Sequence, residues 1–371
     1  MITFEEPILE SEERKILSEA IEKSSVAQGP FVKRFEEKAA SYFGTKYCAA
    51  SMNGTTALHL ALAALGIGKG DEVIVPSFTF AASANVVSYC GAKPVFCDVY
   101  KDTFCIDVED MEKKITEKTK AIIPVHVYGN VCDMDPIKKI SSEHNLEIVE
   151  DAAESHGAVY KGDKAGSMSD VGCVSFHFSK IARMGEGGIS LTNNKELVEK
   201  IKLLRSQGKV KVEDLRGDDF IEKRYYHPIQ GFNYRMLDLQ AAIGIAQIDK
   251  IDSNVAKRRK MAKIYGEQFR ALDLDIMNPT KGANPSYWVY PVLFKSRKQR
   301  LSVGRELVKK GIPFTSFFWP CHKQPFFESG ESIEVAENIA FRGLVFPCNP
   351  LLTQDDITEI ARIIKPLLKN A

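Results

Sequence analysis

Three short stretches of the 371-residue sequence hold residue types that carry chemistry. The apolar run IleValGlu (148–150) ends in Asp151, so a β-type segment presents a carboxylate at its C-terminal tip. Taken alone, such an aspartate reads as a helix cap. A second apolar run, ValSerPheHisPheSerLys (174–180), ends in Lys180. The glycines that follow at 185, 187 and 188 allow positive φ and close backbone approach. In the third, MetAsnGlyThrThrAlaLeuHisLeu (52–60), a Gly54-Thr55 step opens a helix after a strand. Its free N–H groups and hydroxyls point one way, which suits a phosphate. This is neither a Walker loop nor a GxGxxG fingerprint, so ATP and NAD find little support.

Phosphate cradle, acid and lysine are together the parts that pyridoxal phosphate (PLP) requires. The lysine amine forms the Schiff base, and the carboxylate keeps the pyridine nitrogen protonated so that the ring accepts electrons. At ~3 Å and an effective dielectric near 20, that pair has roughly 5 kcal/mol of gross Coulomb energy. Desolvation lowers the net figure but leaves the nitrogen protonated at neutral pH. Phe80, in ValProSerPheThrPhe (75–80), lies beyond another strand end and suits either ring stacking or the core.

These residues need a scaffold that collects strand tips. Apolar runs at Tyr47–Ser51, Glu72–Pro76, Pro94–Val99, Ala121–Val127, Leu146–Glu150, Val171–Phe178 and Gly188–Thr192 alternate with helical patterns at Thr56–Leu65, Ala81–Tyr89, Val108–Ile115 and Met134–His144. That order predicts an α/β fold with a mainly parallel seven-stranded sheet, covered on both faces. Ligands in such sheets sit beyond the C-terminal strand ends. A long helix over 236–271, the β-type runs 286–294 and 312–319, and helices near 302–310 and Asp355–Leu368 predict a smaller α+β lobe. The expected division is a PLP-binding domain over 1–245 and a C-terminal domain over 246–371. The polar stretch 209–231 reads as a long loop serving function or a subunit contact.

Composition narrows the class. Fifty basic residues against 49 acidic leave a net charge of +1, so no overall field attracts nucleic acid or an anionic membrane. The eight cysteines are scattered without a CxxC, which predicts buried apolar thiols and no metal site. The N-terminus is acidic with no apolar h-region, and no apolar run nears ~20 residues, so a cytoplasmic protein is expected.

The motif series extends over nearly the whole chain. It comprises GPFVKRFEEKAASYFG, NGTTALHLALAALGIGKGDEVIVPSFTF, GAKPVFCDV, PVHVYGNVCDMDPI, VEDAAESHGA, SFHFSK with MGEGG, GFNYRM with LQAAIGIAQ, and FPCNPLLT. In this order the sequence resembles the DegT/DnrJ/EryC1/StrS family of sugar aminotransferases, which are fold type I PLP enzymes. The resemblance implies that Lys180 is the Schiff-base lysine and Asp151 the pyridinium partner. Gly54, Thr55 and Ser175 would bind the phosphate, and Phe80 would stack on the ring. Asn233, in GFNYRM, would reach the phosphate of the neighbouring subunit, giving a homodimer with shared active sites. Glu154 stands where many members carry Gln or His against the cofactor; members that make GDP-perosamine carry Glu there. His322, in FWPCHKQP, is a candidate for a substrate-side contact, with an exposed loop histidine as the equal reading. Arg183 and Met184 replace small hydroxyl residues of the family, so Arg183 would alter a phosphate or substrate contact. LeuAspLeuGln at 237–240 is closer to some 3-amino-sugar enzymes.

The implied reaction moves an amino group from L-glutamate to a 4-keto-6-deoxy sugar linked to GDP or UDP, in the making of a polysaccharide such as O-antigen. A 3-keto sugar linked to dTDP is the alternative substrate. A PLP-dependent sugar dehydratase of the same family would carry histidine in place of Lys180. A PLP-binding protein without turnover, or a decarboxylase or aldolase of the same fold type, are the remaining readings.

Overall fold

The computed structural model describes residues 2–4, 9–23, 26–210, 215–327 and 330–368. Helices α1 (Ser11–Lys23) and α2 (Pro30–Phe43) lead into a seven-stranded sheet. Its strands are β1 (Tyr47–Ser51), β2 (Glu72–Pro76), β3 (Lys93–Cys97), β4 (Thr119–Ile122), β5 (Glu147–Asp151), β8 (Val171–Ser175) and β9 (Gly188–Thr192). Short strands β6 (Val159–Tyr160) and β7 (Asp163–Lys164) lie between β5 and β8. The spatial order is β1-β9-β8-β5-β4-β2-β3, and only β9 runs against its neighbours. Helices α3 (Gly54–Leu65), α4 (Ala82–Tyr89), α5 (Val108–Lys113), α6 (Met134–His144) and α7 (Lys195–Arg205) make the connections. Strands β2, β8 and β9 are buried along their whole length, as runs apolar on both faces require.

Beyond the short α8 (Asp218–Glu222), α9 (Asp238–Arg270) runs for 33 residues. The boundary expected after residue 245 falls inside it. The helix buries Ala241 to Val255 in the main core, and Met261 to Phe269 in a second core. That second core packs against the antiparallel sheet β10-β12-β14-β13, made of β10 (Asp275–Ile276), β12 (Val289–Leu293), β13 (Thr315–Ser316) and β14 (Gly343–Pro347). Strand β11 (Ala283–Asn284) pairs instead with β6 of the larger unit. Helices α10 (Arg297–Lys309), α11 (Glu334–Arg342) and α12 (Gln354–Ile364) complete the chain.

Two contacts tie the start of α9 to the rest of the larger unit. Asp238 Oδ1 accepts the N–H groups of Gly29 and Val32 at 2.9 Å each, capping α2 from the start of α9. The LeuAspLeuGln segment therefore holds helices together, and Gln240 Nε2 donates to the Glu186 carbonyl at 2.8 Å. None of the eight cysteines is in a disulfide, and seven are buried. Residues 211–214 of the expected loop lie outside the described residues; among the described ones, no helix is long and apolar enough to cross a membrane.

Candidate active site

The parallel neighbours β8, β5, β4 and β2 end side by side, so their four following loops converge. Asp151 closes β5 and is 5% exposed. Its Oδ2 accepts from Ser83 Oγ at 2.6 Å and its Oδ1 from the Ala153 N–H at 3.1 Å. Ser83 lies in the first turn of α4, and Thr79 Oγ1 is 3.0 Å from its hydroxyl. Burial pushes the Asp151 carboxyl above its ordinary range, opposed by Ser83, the Ala153 N–H, Lys180 and His126.

Strand β8 stops at Ser175, earlier than the expected Phe178, so Lys180 sits in the turn beyond it. The turn is tied back by Lys180 N–H to the His177 carbonyl at 2.9 Å and by Phe178 N–H to the Gly185 carbonyl at 2.8 Å. Lys180 Nζ lies 3.4 Å from Glu154 Oε1. The other carboxylate oxygen of Glu154 accepts the Tyr128 N–H at 2.8 Å. Burial raises the Glu154 carboxyl too, against Lys180 and the Tyr128 N–H.

The helix start at α3 has the cradle shape. Asn53 caps it, taking the Thr56 N–H at 2.9 Å, which leaves the Gly54 and Thr55 N–H groups outside the helical ladder. A Cβ on Gly54 would lie 2.7 Å from the Ser175 Cβ, so only glycine lets this turn approach β8. Gly54 and Ser175 are therefore adjacent, as a shared phosphate site requires.

These residues fit PLP. The two groups bonded directly to the buried Asp151 carboxylate are neutral donors, a setting that a protonated pyridine nitrogen completes. Gly54, Thr55 and Ser175 would hold the phosphate, and Lys180 would hold the aldehyde carbon.

The other residues expected at the site are Phe80, Asn233, Arg183 and His322. Phe80 is 62% exposed, in edge contact with Phe318 at 6.2 Å. Asn233 is exposed and bridges to Ser206. Arg183 is 3% exposed, and its N–H donates to Gln247 Oε1 of α9 at 3.1 Å. Its charge, with those of Lys180 and Arg258, helps hold the buried His156 neutral, with a pKa lowered to about 3, chiefly by burial. His322 is no exposed loop residue: it is 1% exposed, with Nδ1 2.5 Å from Ser77 Oγ and Nε2 3.1 Å from Glu337 Oε1. It fastens the loop after β2 to α11.

Two residues in contact with Asp151 and Lys180 were missed in the sequence. Ser83 had no motif to mark it beyond its place near the start of a helix. Trp288 lies 108 residues after Lys180 in the chain, yet Lys180 Nζ is 3.7 Å from its ring centroid.

A lysine and a buried aspartate at adjacent strand tips, facing a glycine-gated phosphate cradle, define a PLP enzyme of fold type I. The comparisons sharpen this. The DegT/DnrJ/EryC1/StrS aminotransferase family model matches residues 7–365, and the chain belongs to that family. It is a PLP-dependent sugar aminotransferase. GDP-perosamine synthase of Caulobacter vibrioides is 40% identical, over 99% of this chain and 98% of that protein. The Vibrio cholerae protein of the same name is 36% identical, over 98% of each chain. UDP-2-acetamido-2-deoxy-3-oxo-D-glucuronate aminotransferase of Pseudomonas aeruginosa is 35% identical, over 90% of this chain and 89% of that protein. Among solved structures, the PLP form of Spr1654 from Streptococcus pneumoniae superposes with a TM-score of 0.90 at 26% identity, covering 99% of this chain and 98% of that one.

Proposed function

We propose that this enzyme transfers the amino group of L-glutamate to the keto carbon of a GDP-linked 4-keto-6-deoxy sugar. In this reading it works in the cytoplasm as a homodimer with shared sites, supplying a polysaccharide such as O-antigen. The observation that carries it is Glu154, whose carboxylate, not a glutamine or histidine, meets the lysine amine at 3.4 Å. The end-to-end similarity to proteins named GDP-perosamine synthase supports the same substrate.

Bound PLP supplies the electron sink that lets an amino group leave one carbon and join another. The chain does the rest. Asp151 would hold a proton at the ring nitrogen, and Ser83 and the Ala153 N–H hold Asp151. The free Lys180 amine would take the proton from one of the two carbons that share the transferred nitrogen and return it to the other. Glu154 and Trp288 keep that amine close to them.

A 3-keto sugar remains the second reading, favoured by the Pseudomonas aeruginosa relative. The LeuAspLeuGln segment lends it less weight than expected, since Asp238 caps α2.

The test is the visible absorption of the PLP-loaded protein before and after glutamate, with 2-oxoglutarate assayed. Bleaching with stoichiometric 2-oxoglutarate supports the donor half. The bleached protein is then offered GDP-, UDP- and dTDP-linked 4-keto-6-deoxy sugars and UDP-linked 3-keto sugars, and the aminated carbon is located by NMR. Amination only at C3 would overturn the 4-keto assignment.

A further inference from the structure

We infer that Trp288 is a positioning residue that, with Glu154, forms a rest site for the Lys180 ammonium whenever the lysine is not joined to the cofactor. The inference rests on the transaminase reading above. Such an enzyme frees its lysine in the first half-reaction and rejoins it to the cofactor at the end of the second, so the amine needs a defined place close to the reacting atoms.

The geometry supplies that place. The Lys180 ammonium lies 3.7 Å from the Trp288 ring centroid, well inside cation–π range. Glu154 Oε1 is 3.4 Å from the same nitrogen. The indole is oriented by its own hydrogen bond, Nε1–H to the Ser179 carbonyl at 2.6 Å, and Ser179 directly precedes the lysine. A ring that only filled space would not need to donate to the turn that carries Lys180.

Both walls of the rest site are delivered by one backbone contact. Gly129 lies against residues 286–288: its carbonyl accepts the Ser286 N–H at 2.8 Å. A Cβ at Gly129 would meet Ser286 Oγ at 2.7 Å, the Tyr287 nitrogen at 2.8 Å and the Trp288 nitrogen at 2.9 Å. On one side of this contact, Tyr128 gives its N–H to Glu154. On the other, Tyr287 leads into Trp288, whose carbonyl accepts from Arg258 Nη1 at 2.9 Å. Tyr128 and Tyr287 both adopt left-handed backbone, with φ of 56° and 51°. Bulky residues hold that conformation only where the surroundings impose it, and such positions cluster at functional sites. The pairing of β11 with β6 brings the 285–288 segment to this face of the larger unit.

The rest site has a thermodynamic signature. Apoprotein and pyridoxamine-phosphate-loaded protein both leave Lys180 free on Trp288, whereas the PLP-loaded protein does not. Removing the ring therefore favours the PLP form over the other two. Dissociation constants for PLP and for pyridoxamine phosphate are measured on Trp288→Leu, on Trp288→Phe, which keeps an aromatic face, and on Trp319→Phe as control. In Trp288→Leu the ratio of the pyridoxamine phosphate constant to the PLP constant rises roughly fivefold to 30-fold, the range of a partly to fully desolvated cation–π contact. Trp288→Phe gives a smaller rise, and Trp319→Phe gives none.

By linkage, the glutamate half-reaction shifts toward the PLP form by the same factor. An unchanged ratio in Trp288→Leu overturns the inference. Equal rises in the leucine and phenylalanine variants also overturn it, because they assign the effect to the Ser179 hydrogen bond and not to the ring face. The binding ratio needs neither donor nor sugar. Failure of glutamate to bleach the wild type would thus sink the transaminase reading while leaving the ratio measurable.

Discussion

Ser83 donates its hydroxyl to Asp151 Oδ2 across 2.6 Å, joining the first turn of α4 to the tip of β5. The bond turns one carboxylate oxygen and stabilises the charged form that burial disfavours. Ser83→Ala removes a hydrogen bond to a charged group, a loss of about 1.5–3 kcal/mol. The expected result is a fall of at least tenfold in kcat/KM. The acid limb of the pH profile should also move to higher pH, because Asp151 then ionises less readily. A profile that only drops in height would place Ser83 outside the electrostatics of the site.

Asp151 itself is expected to cost the apoprotein stability. Its folded pKa is raised by burial, so the folded state holds its proton more tightly than the unfolded chain. That contribution is present below the ordinary aspartate range and is lost as pH rises through the raised value. Asp151→Asn lacks it. In the apo state, the melting temperature of the asparagine variant relative to wild type should climb between pH 4 and pH 8. Activity should fall by orders of magnitude over the same range.

Gly54→Ala tests the cradle. Its Cβ would sit 2.7 Å from the Ser175 Cβ, pushing the start of α3 away from β8. PLP affinity should fall at least tenfold, as read by equilibrium dialysis. Ser175→Ala, which deletes one hydroxyl and leaves the backbone in place, should lose only a few-fold.

His322 should matter to the fold and not to sugar binding. His322→Ala strands the buried Ser77 hydroxyl and frees α11 from the loop after β2, so a loss of about 2–4 kcal/mol is expected in urea unfolding. Burial lowers the folded pKa of His322, with Glu337 opposing. Its stabilisation is thus present above the ordinary histidine value and lost as pH falls from there through the lowered folded value. The gap between wild type and variant should narrow between pH 7 and pH 5. A raised sugar KM with unchanged stability would instead support the substrate-side role.

The proposed shared dimer predicts complementation. A mixture of Lys180→Ala and Asn233→Ala chains, denatured and refolded together, forms about half mixed dimers, each with one intact site. About a quarter of wild-type activity should return. No gain above the average of the two parents would mean that Asn233 serves its own subunit.

Much of the scaffold was legible locally. Tyr47–Ser51, Glu72–Pro76, Gly188–Thr192 and Met134–His144 form elements with the expected bounds, because apolar runs or helical periodicity end there at polar, Gly or Pro residues. The expected strand Ala121–Val127 stops at Ile122. Pro124 has no N–H for a ladder, and the chain then turns so that Tyr128 faces Glu154. Lys180, Asp151, Gly54 and Ser175 were legible because each lies just beyond a strand or opens a helix, where an α/β sheet gathers its ligands.

The sequence by itself determined that Asp151 closes a strand, that Ser175 and Lys180 end or follow one and that Gly54 opens a helix, since strand and helix periodicity are local properties. Only the tertiary structure decided what surrounds them. It set Trp288 over Lys180, Ser83 on Asp151 and His322 in a buried link, and it ran α9 through both cores. Those contacts join residues tens to hundreds of positions apart. Their geometry follows from how β11, α4 and α11 dock, which no local pattern encodes.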